Sequence, residues 1–332
     1  MKVIIPVAGA GIKLRPHTHT QPKALVPIAG KPILAHIIDA MLEEGITNFV
    51  FIIGYLGEKI ESYIRSSYPQ IEAEFVIQEP REGLAHAIYI AKDKIIQEKE
   101  ILIALGDTIV NMNIKELLTA PYSTLAVKKV DHPELFGVAE IDDNGFVKKL
   151  VEKPTIPKSN FALVGLYKIK NPKNLIDSIT HIIKHQKKTQ HEYHLTDALM
   201  ALIEQGEKMK TMVVNNWYDC GKKETLLEAN AILLNQLGYN HVKKHDFPNT
   251  IIIPPVSIGP HCKISNSIIG PNVAIGDHTL LSYSIVKDSI IGSYSELEHI
   301  VLENSIVGSD SILKGLQQSL NSGDHTEIIF TK

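Results

Sequence analysis

The sequence predicts an α/β protein: a mixed, mainly parallel sheet flanked by helices, followed by a short parallel β-helix. Two observations carry the first part. From Lys2 to about Leu118, short apolar runs alternate with amphipathic segments, the rhythm of βαβ units, and from Thr124 to Tyr167 the pattern turns to extended segments. A third carries the second part: beyond residue 250, aliphatic residues recur five or six apart, often followed by glycine. Neither a helical nor a strand period gives that spacing, whereas coils of three short strands do. A chain of 332 residues has room for two domains at about 150 residues each. The expected division is an α/β domain over 1–238, a linker over 239–250, the β-helix over 251–315 and a tail over 316–332.

Taken in order, Val3 to Val7 is a buried strand, and Ile33, Leu34, Ile37, Ile38, Met41 and Leu42 mark an amphipathic helix stopped by Gly45. Phe49 to Ile53 is the next strand, Ile60, Tyr63 and Ile64 a helix, and Ala73 to Ile77 a strand. Gly83 to Ile96 follows as a helix, and Ile101 to Leu105 is a strand running into Gly106-Asp107. Asn144-Gly145 is a hairpin turn. Helices are expected around Leu195 to Gln205 and over Glu224 to Leu237, the latter ending at Gly238. The β-helix positions include Ile258, Ile264, Ile269, Ile275, Leu281, Val286, Ile291, Leu297, Leu302, Val307 and Leu313.

Composition removes several classes of function. Lys and Arg number 34 against 37 Asp and Glu, a net charge of −3, and 44% of residues are apolar. That excludes disorder and a polyanion-coating surface, so no nucleic-acid partner is expected. Two cysteines, Cys220 and Cys262, make no disulfide scaffold. The apolar stretch after Lys2 is shorter than a secretion-signal core, and no run reaches the length of a membrane span. The expectation is a cytoplasmic protein with no membrane partner.

In doubly wound sheets, ligands bind beyond the carboxyl ends of strands, and those ends carry the candidate chemistry. Gly9, Ala10 and Gly11 follow the first strand and let backbone N–H groups approach an anion, with Lys13 and Arg15 close behind. The segment lacks the third glycine of a dinucleotide fingerprint and the Gly-Lys-Ser/Thr of a P-loop. Lys23, in Pro22-Lys23, is near enough to fold over the same loop. Asp107 and Asp219 are candidate Mg²⁺ ligands, because Mg²⁺ in nucleotide sites takes one or two carboxylates plus phosphate oxygens. Gln78 closes a strand before Gly83-Leu84-Ala85, and its amide matches a nucleobase edge. Glu152-Lys153 pairs an acceptor for sugar hydroxyls with a cation for a phosphate. Singly, each has a plainer structural reading, as a turn glycine, a turn-capping Asp or an exposed ion pair.

Together these segments resemble the sugar-1-phosphate nucleotidylyltransferases, most closely glucose-1-phosphate thymidylyltransferases of the long form with a hexapeptide-repeat tail. The family loop Gly-Gly-x-Gly-Thr-Arg-Leu-x-Pro is matched by Gly9 to Pro16, with Thr18 and Pro22-Lys23 after it. Its base-binding Gln and Gly-Leu-Ala are similar to Gln78 and Gly83-Leu84-Ala85, its Gly-Asp metal motif to Gly106-Asp107, and its sugar-side motif to Phe136-Gly137-Val138. Glu152-Lys153-Pro154, the stretch from Leu163 to Tyr167, and Trp217 to Gly221 complete the match. The resemblance implies a Rossmann-like catalytic domain, a left-handed β-helix and Mg²⁺ as cofactor. It implies a nucleoside triphosphate (dTTP or UTP) and a sugar 1-phosphate, glucose 1-phosphate first, as substrates. Lys13 and Arg15 would hold the triphosphate, Lys23 the α-phosphate, Lys153 the sugar phosphate, and Asp107 with Asp219 the metal, while Gly137, Glu152 and Leu163 would line the sugar side. The departures are Ala10, Ile12 and Lys13, the last standing at the family's arginine and lacking its planar fork. They leave open a weak or inactive nucleotide-sugar-binding regulatory homologue; a mannose-1-phosphate guanylyltransferase and an acyl-transferring tail are further alternatives. The tail's histidines, His261, His278 and His299, read as solvated edge residues. Homo-oligomerisation through the β-helix is the expected role of the repeat.

Overall fold

A computed structural model describes residues 1–239 and 247–315. The chain divides into two compact units, Met1–Ala229 and a second beginning at Asn230. Most of the expected linker, and the whole of the expected tail, lie outside the described residues.

The first unit is built on a nine-stranded mixed sheet. β1 (Lys2–Pro6) lies at its centre, with Val3, Ile4 and Ile5 fully buried because helices cover both faces. It pairs in parallel with β2 (Asn48–Ile53) on one side and β4 (Ile101–Ala104) on the other. Outside β2 lies β3 (Glu72–Ile77), also parallel. α1 (Ile33–Glu43) turns Ile33, Leu34, Ile37, Ile38 and Met41 inward and stops at Gly45, whose φ of 77° lets its N–H reach the Leu42 carbonyl at 2.9 Å. α2 (Gly57–Ser67) and α3 (Leu84–Ile90) complete the crossovers. The single helix expected over 83–96 is broken at Ala91, whose ψ of 4° starts a separate turn at Lys92–Ile95.

After β4, β5 (Thr108–Asn111) leaves the main sheet. β6 (Ser123–Lys129), β7 (Gly137–Ile141), β8 (Val147–Glu152) and β9 (Phe161–Ile169) supply the antiparallel half. The order is β8-β7-β9-β4-β1-β2-β3, with β6 on β9. The β7–β8 hairpin turns where Asn144-Gly145 predicts it: Gly145, at φ 78°, donates to the Asp142 carbonyl at 3.0 Å. α4 (Pro172–Lys184), to which the sequence reading assigns nothing, starts on a proline suited to the first helical position and buries Leu175, Ile176, Ile179 and Ile182. α5 (Leu195–Glu204), β10 (Met209–Val213), parallel to β6, and β11 (Asn216–Asp219), paired with β5, follow before α6 (Lys223–Gln236).

The second unit is a parallel β-helix of three four-stranded sheets, consistent with the left-handed form. The aliphatic positions read from the sequence fall into three stacks: Ile258, Ile275, Ile291 and Val307; Ile264, Leu281, Leu297 and Leu313; and Ile269, Val286 and Leu302. Coils are shorter than three full hexads. Ile251 pairs with Ile268, a step of 17 residues, and Ile285 with Val301, a step of 16. His261, His278 and Tyr294 stack at one corner with ring centroids 4.7 and 4.9 Å apart, and Tyr283 stacks on His299 at another.

Candidate active site

β1 and β4 are neighbours, yet the chain leaves β1 toward β2 and returns to the opposite side of β1 for β4. That reversal opens a crevice beyond the strands' carboxyl ends, the place where such sheets bind ligands. A cavity of about 570 Å³ lies there. On its β1 side, Gly11 adopts φ 62°, and its carbonyl accepts a 2.8 Å bond from Thr18 Oγ1. A Cβ at Gly11 would stand 2.9 Å from both Lys23 Cβ and Thr18 Cγ2, so this glycine is required twice over. Buried Leu14 anchors the loop while Lys13 stays exposed on the cavity wall.

On the β4 side, Lys23 makes an ion pair with Asp107. The lysine is held by buried Ala24 and Leu25, which follow it in one turn. β11 pairs antiparallel with β5 so that Asp219 registers against Thr108, and Cys220 N–H donates to the Asp107 carbonyl at 3.1 Å. That pairing brings together two carboxylates far apart in sequence. Burial, and then the charge of Asp107, push the Asp219 carboxyl above its ordinary range; Lys23 and Lys13 pull it partly back. Among the described residues, no group of three or more His, Cys, Asp or Glu side chains could hold a metal. The pair Asp107 and Asp219 still fits Mg²⁺: both are hard oxygen donors, and their mutual repulsion is what a divalent cation relieves.

The opposite end is formed by β7, β8, β9 and the start of α5. A Cβ at Gly137 would stand 3.0 Å from Glu152 Oε2 and 3.1 Å from Thr196 Oγ1, so glycine keeps this end open. Thr196 Oγ1 donates to Glu152 Oε2 at 2.7 Å, and His194 Nδ1 lies 3.8 Å from Glu152 Oε1. Lys153, on the wall, has φ 41°; a lysine in the left-handed region is backbone strain of the kind concentrated at functional sites. Burial raises the Tyr167 hydroxyl well above the usual range, with the carboxylates of Glu152 and Asp107 adding to it. Trp217 packs edge-on against Phe136, ring centroids 4.8 Å apart.

Of the residues singled out from sequence, Gly9, Ala10, Gly11, Lys13, Lys23, Asp107, Gly137, Glu152, Lys153, Leu163 and Asp219 line this one cavity. Arg15, Gln78 and Gly83 do not. Arg15 is exposed beside the loop, and Gln78 is buried, giving its amide N–H to the Gly83 carbonyl at 3.0 Å. The two thereby set the turn that delivers Leu84 to the wall. Sequence reasoning missed His194, Thr196 and Lys222, all wall residues, whereas Tyr167, also on the wall, closes the stretch from Leu163 that the resemblance includes. Buried His194 Nε2 and Trp217 Nε1 lack hydrogen-bond partners, a signal visible only in three dimensions. Four lysines face three carboxylates on the lining, so the cavity is poised for anions.

A family model described as nucleotidyl transferase matches residues 2–236. The low-salt glycan biosynthesis nucleotidyltransferase Agl11 of Haloferax volcanii is 36% identical over 243 residues, covering 70% of this chain and 66% of that protein. The bifunctional protein GlmU of Methanocaldococcus jannaschii is 39% identical over 240 residues, covering 72% of this chain and 55% of that protein. The chain thus spans between about half and two thirds of these relatives' length. A Bacillus anthracis structure assigned as a glucose-1-phosphate thymidylyltransferase, solved with a sucrose, superposes with a TM-score of 0.60 at 26% identity, covering 70% of this chain and 94% of that one.

Proposed function

The chain belongs to the nucleotidyl transferase family, and from that premise we propose that it transfers a nucleotidyl group from dTTP or UTP to a sugar 1-phosphate, glucose 1-phosphate first, forming a nucleotide sugar. The observation that carries this is the gathering of Lys13, Lys23, Lys153, Asp107 and Asp219 around one cavity. An oxygen of the sugar phosphate attacks the α-phosphorus in line, the new P–O bond forms, and the bond to the bridging oxygen breaks as pyrophosphate leaves. Both reactants are polyanions, so the protein's task is to position them and offset their charge.

In this reading Lys13 holds the β- and γ-phosphates, Lys23 stabilises charge gathering on the α-phosphate, and Lys153 holds the sugar phosphate. Arg15, exposed beside the loop, is not on the cavity lining. Mg²⁺, held by Asp107 and Asp219, supplies neutralisation of phosphate charge when bound. Leu84, set by Gln78 and Gly83, bounds the base end; Gly137, Glu152 and Leu163 bound the sugar end. Homo-oligomerisation through the β-helix belongs to the same proposal.

One observation favours a second reading. Ile12 is 66% exposed at the cavity, and Lys13 gives a point charge where a planar fork binds phosphate more strictly, as in a sensor that binds nucleotide sugars without making them. A matrix of four nucleoside triphosphates against several sugar 1-phosphates, read by pyrophosphate release with Mg²⁺, decides. Release with dTTP or UTP and glucose 1-phosphate is expected. Binding of nucleotide sugar without release from any pair would favour the sensor, and release with GTP and mannose 1-phosphate alone would replace the substrates proposed here.

A further inference from the structure

We propose that Thr196 is a positioning residue for sugar recognition: its hydroxyl holds one oxygen of Glu152 so that the other stands ready for a sugar hydroxyl. This rests on the reading of the cavity as a sugar 1-phosphate site. Thr196 Oγ1 donates to Glu152 Oε2 at 2.7 Å, the one hydrogen bond of this carboxylate among the described residues. Oε1 has only the His194 ring nearby, 3.8 Å away and too far for a hydrogen bond. It keeps accessible surface, where the unpaired nitrogens of His194 and Trp217 keep almost none. A carboxylate offers about four acceptor sites, so most of the capacity of Glu152 is left for a ligand in the cavity that it lines.

Three elements meet to make the bond. β8 places Glu152 opposite Gly137 of β7, and a Cβ at Gly137 would crowd both Glu152 Oε2 and Thr196 Oγ1, so the pair sits against bare backbone. Thr196 is the second residue of α5, whose Leu195, Ala198, Leu199 and Leu202 are buried, and the core thereby fixes its position. Inside a helix, a threonine hydroxyl bonds back to a carbonyl three or four residues earlier. At the second position no helical turn precedes it, and the hydroxyl is free for Glu152. A glutamate has three rotatable bonds, the last with a broad preference. Without Thr196 the carboxylate turns, and the sugar must immobilise it on binding. Thr196 need not touch the sugar to have this effect.

The test compares wild type with Thr196→Val, Thr196→Ala and Thr196→Ser on the preferred sugar 1-phosphate and its monodeoxy analogues. In wild type, the analogue lacking the hydroxyl that Glu152 accepts should lose about tenfold or more in kcat/KM. Thr196→Val and Thr196→Ala should each raise the KM for the parent sugar about tenfold and shrink the selectivity against that analogue. Their kcat and their KM for the triphosphate should stay as in wild type, because the contact is remote from the reacting phosphorus and equal in ground and transition states. Thr196→Ser, which keeps the hydroxyl, should restore sugar KM and selectivity. In a Glu152→Ala background, Thr196→Val should change nothing further, since its effect runs through a carboxylate that is gone. A merely structural threonine would add its loss there as well. Wild-type selectivity in both the Val and Ala variants, or a full additional loss beside Glu152→Ala, would overturn the role of Thr196 alone. A wild type that releases no pyrophosphate with any sugar 1-phosphate would instead overturn the underlying reading of function.

Discussion

In the α/β unit, partners in space come from distant stretches of chain: Lys23 meets Asp107, and Asp219 registers against Thr108. In the β-helix, every residue's partner lies 16 or 17 positions on, for four coils. The first arrangement assembles one set of unlike groups around one cavity. The second repeats a single solution, so its positions are nearly interchangeable. Substitutions should therefore separate by kind, with those in the first unit altering chemistry at one point and those in the second altering stability alone.

The largest effect expected tests the second half of that contrast. Gly270 has φ 104°, and a Cβ there would come within 1.9 Å of the Ile253 carbonyl oxygen, with no flexible side chain to yield. Gly270→Ala should destabilise the β-helix by on the order of 4 kcal/mol, through strain and a backbone clash combined. Hydrogen exchange over 251–315 should rise. Fluorescence of Trp217, the chain's single tryptophan and part of the first unit, should melt as before.

Next in size is Lys23→Ala. Losing one preorganised cation at the α-phosphate should lower kcat by about 10²–10³-fold, or about 3 kcal/mol. Asp107 loses its ion-pair partner, but the fold should survive, because Ala24 and Leu25 anchor the turn. Wild-type pyrophosphate release by this variant would remove Lys23 from the mechanism.

Legibility followed the same divide. The stacks of the β-helix were readable because a coil turns the sequence period directly into contact. The cavity's glycines and lysines were readable because strand ends are marked by composition. The meeting of Asp107 and Asp219 was not derivable from the residues: it depends on the antiparallel register of β11 on β5, which no local pattern encodes. His194 was hidden for a similar reason. Its nearest cue is only that it precedes a helix, and its place beside Glu152 exists only once β8 meets the start of α5. In the β-helix the aliphatic residues were read and the serines were not, although Ser267, Ser284, Ser289 and Ser295 are all buried.

A third effect separates the units by acid. His36, on α1, is buried, and desolvation lowers its pKa from 6.5 to about 4, against the opposing bond to the Ile28 carbonyl at 2.9 Å. Below pH 6.5 the unfolded chain takes up a proton that the folded chain refuses, so stability falls as pH falls, until the folded group itself titrates near pH 4. The first unit should lose about 2 kcal/mol between pH 6.5 and 4.5. His261, His278 and His299 in the second unit are exposed, so its described residues include no buried histidine like His36. Trp217 fluorescence should therefore show acid sensitivity that exchange over 251–315 does not. His36→Phe, if the ring still packs, should flatten the first profile.

The smallest effect lies in the serine ladder and asks how interchangeable the coils are. Ser284 Oγ donates to the Ser282 carbonyl at 2.7 Å and accepts from Ile300 N–H at 3.2 Å, while Ser284 N–H donates to Ser267 Oγ one coil earlier at 3.1 Å. Ser289 repeats the device with Lys287 and Ser305. Each hydroxyl therefore satisfies a backbone acceptor in its own coil and a backbone donor in the next. Ser284→Ala leaves the Ile300 N–H unpaired, while the Ser282 carbonyl keeps its bond from His299 N–H at 3.2 Å, and should cost about 1–2 kcal/mol, seen as faster exchange at the Ile300 amide. Ser267 and Ser284 share a hydrogen bond between adjacent coils, so their double replacement should cost less than the sum of the two singles. Ser284 and Ser289 share none, and their losses should add. A coupling of equal size in both pairs would mean that the coils do not act through nearest neighbours, and the contrast with the α/β unit would then be one of sequence pattern only.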